Sequence, residues 1–411
     1  MAHGISLDSW LNNTTERRQA SPALTGRALP LVVVGAALAL APFLFTEANR
    51  FWTAYLIAVC YFASISLGAL FLVAVMHLTG ARWGIVIRRL AEILAMNIGI
   101  VGIAFIPIVA IVLKQDGTLF PWTDPEAVAA DELLQHKSPY LNPTFFAIRQ
   151  VVYFVSWWLI ARFFYRGSVA QDRAQTNAPM APLRVWCGPA LMWFALTVSG
   201  ASFDWMMSLA PTWFSTMFGV YFFAGSAVAV FATLILLCFY LQQRGVLTET
   251  VTVEHYHDLG KLLFGFVFFW GYIAFSQFML IWYANIPEET QWYADRQETP
   301  TALGISVPLA ALFIGHLFIP FLGIMSRAVR RNKPLLTAWA VYMLVWHWYD
   351  LFYIISPTQA ETKWAFGIPE VLCTLGIGVL FIGWGMRLAA GNWLVPVRDP
   401  RIGQSLAFAN H

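Results

Sequence analysis

Between Lys261 and Glu288 the chain runs for 24 residues, Leu262 to Asn285, without a formal charge. At about 1.5 Å per residue, a helix of that length crosses a bilayer core of roughly 30 Å. The run opens after His257, Asp258, Gly260 and Lys261 and closes before Pro287, Glu288 and Glu289. Inside it sit Trp270, Tyr272, Ser276, Gln277 and Trp282. An inert anchor needs less polarity than this, so the helix should turn one side toward other protein.

The same pattern recurs along the whole chain. Apolar runs fall at about Ala28–Thr46, Phe51–His77, Gly84–Leu113, Thr144–Tyr165, Leu183–Ser202 and Trp213–Leu241. After the run at 261–285 come Leu303–Met325, Leu335–Ser356 and Ile368–Met386. Hydrophobic residues make up 59% of the chain and charged ones 11%, against roughly 25% charge in soluble domains. The expected fold is therefore an all-α integral membrane protein of ten transmembrane helices. Residues 1–27 form an N-terminal tail, 28–386 the membrane domain and 387–411 a C-terminal tail. The tail at 1–27 lacks the basic, apolar, small-residue order of a cleaved signal peptide.

Loop charges orient the spans. With both termini cytoplasmic, the inner segments carry Arg17, Arg18, Arg27, Arg82, Arg88, Arg89, Arg162, Arg166, Arg173 and Arg184. They continue with Arg244, Lys261, Arg327, Arg330, Arg331, Lys333, Arg387, Arg398 and Arg401. The outer side receives Arg50, Lys114, Lys137, Arg296 and Lys363, and its loops are acidic at Asp116, Asp124, Glu126, Asp131, Glu132, Glu288, Glu289, Asp295 and Glu298. This is the positive-inside bias of a multi-pass protein. The outer loop at 114–143 reads as a cap over the outer surface, either docking a periplasmic partner or serving as a passive connection.

Several chemistries find no support. The net charge of +3 is spread among loops and gives no nucleic-acid footprint. Cys60, Cys187, Cys238 and Cys373 lie in apolar runs without a CxxC or CxxCH, and read as small core residues rather than ligands. No P-loop, nucleophile triad or metal motif is present, so no metal site is expected.

Ionisable residues at membrane depth are costly and become the functional candidates. Glu92 stands three and four residues from Arg89 and Arg88 on one helix face. That is either a structural ion pair or a proton-entry carboxylate or quinone-headgroup contact. His316 and His347 each lie about 12 residues into consecutive antiparallel spans, which puts both near one midplane depth. Asp350 follows His347 by one turn. A proton relay or quinone pocket, bis-His haem ligation, and plain interhelical hydrogen bonding all fit these three residues. Arg149 and Asp204 should lie toward the outer side, either as a structural pair or as a proton exit. On the aromatic helix Tyr272, Gln277 and Trp282 are the candidates for quinone contact.

Four stretches carry a family resemblance: RWGIVIRRLAE (82–92), FDWMMSLAPTWFSTMFGVYFFAG (203–225), HDLGKLLFGFVFFWGYIAFSQFMLIWYANIPEET (257–290) and VRDPRIGQSLAFANH (397–411). In these the chain resembles the NrfD-like (polysulfide reductase membrane-subunit) family, in particular the second such subunit of bacterial alternative complex III, a quinol:electron-acceptor oxidoreductase. The resemblance implies two four-helix bundles plus two flanking helices, in a bacterial cytoplasmic membrane. It implies a homologous NrfD-like subunit, an iron–sulfur protein and cytochrome c subunits as partners. Haem c and iron–sulfur clusters would reside in those partners. Quinol oxidation would lie in the sister subunit, with no cofactor bound by this chain, which would conduct protons and support assembly. Ala210 after MSL departs from the family's pattern, where a carboxylate is expected. Direct quinone or quinol binding by this chain is the alternative. A stand-alone secondary transporter, hinted at by Pro107 and Pro320 inside spans, is the third reading.

Overall fold

The computed structural model describes residue 10 and residues 18–297, 306–358 and 363–410. Arg17, Glu298, most of the N-terminal tail and the first residues of the expected run at 303–325 lie outside them. Among the described residues the long elements are all helices: α1 (Leu24–Leu40), α2 (Ala48–Leu78), α3 (Ile85–Lys114), α4 (Pro143–Gln171) and α5 (Met180–Trp205). Then follow α6 (Phe218–Gln243), α7 (Val253–Ala284), α8 (Val307–Ile324), α9 (Lys333–Ile355) and α10 (Ile368–Ala389). No strand occurs among the described residues.

Nine of these helices, all but α9, are long and apolar enough to cross a membrane. The chain is an all-helical, multi-pass membrane protein. α9 has 23 residues, but Trp339, Trp346, His347, Trp348 and Asp350 dilute its apolar character.

Local chemistry sets the helix ends. Asn142 accepts from Phe145 N at 2.8 Å ahead of Pro143, and Asn332 accepts from Leu335 N at 3.1 Å ahead of Pro334. Each is an N-cap followed by a proline that fits the first helical turn. Thr252 and His255 form a reciprocal capping box that starts α7 eight residues ahead of the expected run at 261–285. α7 stops at Asn285 and α3 at Gln115, both in the left-handed region (φ 49° and 60°).

The helices pack in sequence-local sets. α2, α3, α4 and α5 lie against one another, as do α6, α7, α8 and α9, and α2 meets α6 where the two sets join. At that seam Gly68 allows close approach, since a Cβ there would stand 2.2 Å from the Ser226 carbonyl oxygen. α1 lies along α10 through Gly35, Gly376 and Gly383, where added side chains would strike opposing backbone. α2 is buried nearly throughout.

Both ends of the described chain lie on one face, because Ala20 N donates to Asn392 O at 3.0 Å and Gly391 N to Ala20 O at 3.1 Å. We call this the terminal face. On the opposite face the loop after α3 folds into short helices that cap the bundle, with Phe120 and Trp122 buried beneath and Lys137 Nζ donating to Pro211 O at 2.5 Å.

Candidate functional site

Halfway along α8 the helix widens into a π-turn, Phe313–Phe318, holding His316. Two local causes converge there. Pro320 cannot donate to the carbonyl four residues back, which is that of His316. Gly315 has the Trp346 ring where a Cβ would be, 2.1 Å away. π-turns of this kind re-aim side chains and cluster at functional sites.

The widened turn aims His316 at α9. Its ring lies 6.5 Å, centroid to centroid, from that of His347, and 3.9 Å from that of Trp270 on α7. Nitrogens of both histidines and a carboxylate oxygen of Asp350 all lie within 4.8 Å of one another. Each residue is at most 1% exposed. Tyr221 Oη, from α6, donates to Asp350 Oδ1, and Trp270 Nε1 donates to Asp350 Oδ2 at 3.1 Å. On α2, Ser64 Oγ is 2.8 Å from His347 Nε2. Gly225 leaves room for the pair, since a Cβ there would stand 2.9 Å from His347 Cε1. Five helices thus close on one buried carboxylate and two imidazoles.

Two features make the cluster chemically available. Among the described residues no Lys or Arg pairs with Asp350. Both ring nitrogens of His316 and Nδ1 of His347 have no hydrogen-bond partner. Buried polar atoms in native proteins are nearly always bonded, and exceptions cluster where chemistry or bound water is involved. Net neutrality in so dry a place requires one proton shared among the carboxylate and the imidazoles. A porphyrin held between the two histidines would have to displace Trp270 and part the α6–α9 contact at Gly225.

From Tyr221 and Trp270 a narrow cavity of ≈ 20 Å³ leads toward the capped face, past Gln277, Trp292 and Tyr293. That volume suits about one water. Gln277 Oε1 accepts from Ser215 Oγ at 3.0 Å. Tyr272 and Trp282, the other candidates on α7, are 60% and 67% exposed and point away from this line. The structure therefore places Gln277 beside the cavity and leaves Tyr272 and Trp282 on the outer surface of the helix. Beyond the cavity, Arg296 is buried with no ion pair among the described residues, stacked 3.5 Å above Trp292. It donates to Ile354 O at 2.7 Å and Tyr353 O at 3.3 Å, capping the end of α9. Burial pushes its guanidinium down to about 10.

A second polar group lies at the terminal face. Arg88 and Arg89 both bond Glu92, at 3.1 and 2.9 Å. Arg88 also bonds Asp399 at 2.8 Å and Arg89 bonds Asp172 at 2.9 Å, while Arg401 stands 3.6 Å from Asp399. Three cations therefore face three carboxylates. Burial raises the Asp172 carboxyl despite its bond to Arg89. At Asp399 burial acts upward too, but Arg88 and neighbouring donors outweigh it and hold the carboxyl below its usual range.

Toward the capped face, Arg149 Nε and Nη2 donate to both oxygens of Asp204, at 2.8 and 2.9 Å. Gln150 Nε2 adds a third bond at 3.3 Å. This pair is complete in itself.

Sequence reasoning missed Ser64, Tyr221, Asp172 and Asp399. Ser64 and Tyr221 sit in apolar runs and look like core residues, and the two aspartates lie in loops that only the fold brings to Arg88 and Arg89. The chain matches no protein-family model and no curated protein.

Proposed function

We propose that the chain is a membrane subunit of a quinol:electron-acceptor oxidoreductase resembling alternative complex III, and that it conducts protons without a redox centre of its own. It crosses a bacterial cytoplasmic membrane ten times, α9 included, with the terminal face in the cytoplasm and two four-helix bundles, α2–α5 and α6–α9, flanked by α1 and α10. The observation that carries the proton role is the buried set of His316, His347 and Asp350 with no cation on the carboxylate. Quinol oxidation releases protons along with electrons, so such a complex needs acid–base groups leading to water. Asp350 and the two imidazoles hold a proton between them. Tyr221, hydrogen-bonded to Asp350, passes it toward the cavity beside Gln277, and Ser64 fixes the orientation of His347. Glu92 with Arg88 and Arg89 would exchange protons at the cytoplasmic end. The partners are a homologous NrfD-like subunit, an iron–sulfur protein and cytochromes c, which supply the haem and the clusters.

Purification of the chain from its native membrane, with an optical redox spectrum and identification of accompanying subunits, tests this. Haem c and iron–sulfur partners arriving with a haem-free chain support the reading. A lone colourless protein sinks it and revives the transporter reading. A haem b band on the isolated chain would turn His316 and His347 into ligands.

One observation favours direct quinone binding as a second reading. An apolar groove of ≈ 660 Å³ runs between α9 and α10, lined by Trp348, Tyr349, Phe352, Val371 and Thr374. That size suits a small lipophilic ligand. Its wall includes Tyr61, whose ring lies 5.6 Å from that of His347. Photoaffinity labelling with a quinone should then mark α9 or α10; labelling absent from both removes this reading.

A further inference from the structure

After α10 the chain does not leave the protein. Residues 390–410 cross the terminal face from one helix set to the other. The crossing is fastened at the start by Leu394 N, which donates to Arg18 O at 2.8 Å. In the middle, Arg88 Nη2 bonds Asp399 and Ser405 Oγ donates to Trp83 O at 2.7 Å, both at the start of α3. At the end, Asn410 Nδ2 donates to Glu254 of α7 at 3.2 Å, and Asn410 Oδ1 accepts from Lys261 Nζ at 2.9 Å. Beneath this strap Arg88, Arg89 and Glu92 are at most 1% exposed.

Asp399 is the only carboxylate in residues 390–410, and its bond to Arg88 differs from an ordinary buried ion pair. If it opens, Arg88 still has Glu92 at 3.1 Å and Asp399 still has Arg401 at 3.6 Å. Neither charge is stranded, so the cost that normally locks a buried pair is largely absent. The remaining hold is a set of hydrogen bonds, most of them to backbone oxygens, among them Arg89 Nη1 to Trp393 O at 2.9 Å and Gln171 Nε2 to Arg398 O at 3.1 Å, and the burial of Leu394, Val395, Ile402 and Leu406.

We propose that the C-terminal segment is a hinged strap over the mouth of the Glu92 network, latched by Asp399 on Arg88, and that Glu92 meets water only when the latch opens. The strap's opening stands on these contacts alone. Its consequence for protons rests on the function proposed above.

Thiol labelling separates the two. Val86 is fully buried under the strap, with its N–H directed at Ser405 Oγ at 3.4 Å, and the four native cysteines are buried. A Val86→Cys full-length chain in opened native membranes should react slowly with a small charged methanethiosulfonate. Adding Asp399→Asn should raise the rate at least tenfold, and adding Asn410→Ala instead should raise it severalfold. A cysteine in place of Ala227, deep in α6, should stay unreactive in every background. Fast labelling of Val86→Cys alone, or equal rates in all three chains, overturns the strap. If Asp399→Asn also exposes the Ala227 position, the protein has loosened globally and the Asn410→Ala rate decides. None of these rates depends on quinol or proton turnover, so failure of the functional reading leaves the result interpretable.

Discussion

Two buried aspartates occupy the last helix of each set of four, and they are treated in opposite ways. Asp204, at the end of α5, is 0% exposed and gripped by Nε and Nη2 of Arg149. Asp350, in α9, is 1% exposed and, among the described residues, has only Tyr221 and Trp270 as donors. A carboxylate locked to a guanidinium has its charge and both oxygens committed to one partner. A carboxylate held by a phenol and an indole, beside two imidazoles, has no such commitment. The same residue type in a similar setting is therefore braced by a cation in one set and left without one, among the described residues, in the other.

The largest effect should come from breaking the brace. Arg149→Met strands a buried carboxylate and should cost about 3–5 kcal/mol in reversible unfolding, most of it recovered when Asp204→Asn is added. A loss under about 1 kcal/mol would remove the contrast between the two sites.

Asp350→Asn should do the reverse. The amide oxygen still accepts from Tyr221 or Trp270, so stability should move by about 1 kcal/mol or less. Quinol-driven proton release by the assembled complex in liposomes should fall about a hundredfold. Unchanged proton release would place the pathway elsewhere. Tyr221→Phe is intermediate. It removes one of two donors to Asp350 and should cost about 1.5–3 kcal/mol, read from the thermal midpoint in detergent, if the carboxylate is charged in the folded state. A neutral result would mean that Asp350 carries the shared proton itself.

The smallest effect concerns pH at the strap. The Asp399 carboxyl is held below its usual range, so its contribution is present above the unfolded value of about 3.9 and lost as pH falls through the lower folded value. The labelling rate of Val86→Cys, divided by that of a fully exposed cysteine at the same pH to remove the thiolate fraction, should stay flat between about pH 5 and 8 and climb only in stronger acid. A rise already at neutral pH would assign the latch to another group.

Much of this architecture was legible in the chain. The length of the uncharged runs fixed the helices, because a bilayer sets both a minimum length and a composition. The depths of His316 and His347 followed from the helical rise alone. Rotation about each helix axis was harder. On α7, Trp270 and Gln277 are seven residues apart and share a face, whereas Tyr272 sits about 200° round from Trp270. That phase excluded Tyr272 from any site containing the other two, but no local pattern says which face meets α9. Asp172 and Asp399 were beyond reach for another reason: they lie 83 and 311 positions from the arginines they bond.

The glycine-lined contact of α1 with α10 bears on how the protein is made. The first long helix of the described chain finds its close partner in the last, and residues 18–20 pair with the backbone just beyond it. During synthesis α1 must wait in the bilayer until α10 has been inserted. Until then its glycine face offers a docking surface to any other small-residue helix nearby. Assembly therefore closes at its beginning, and a ribosome stalled before Gly376 would release a chain with that seam open.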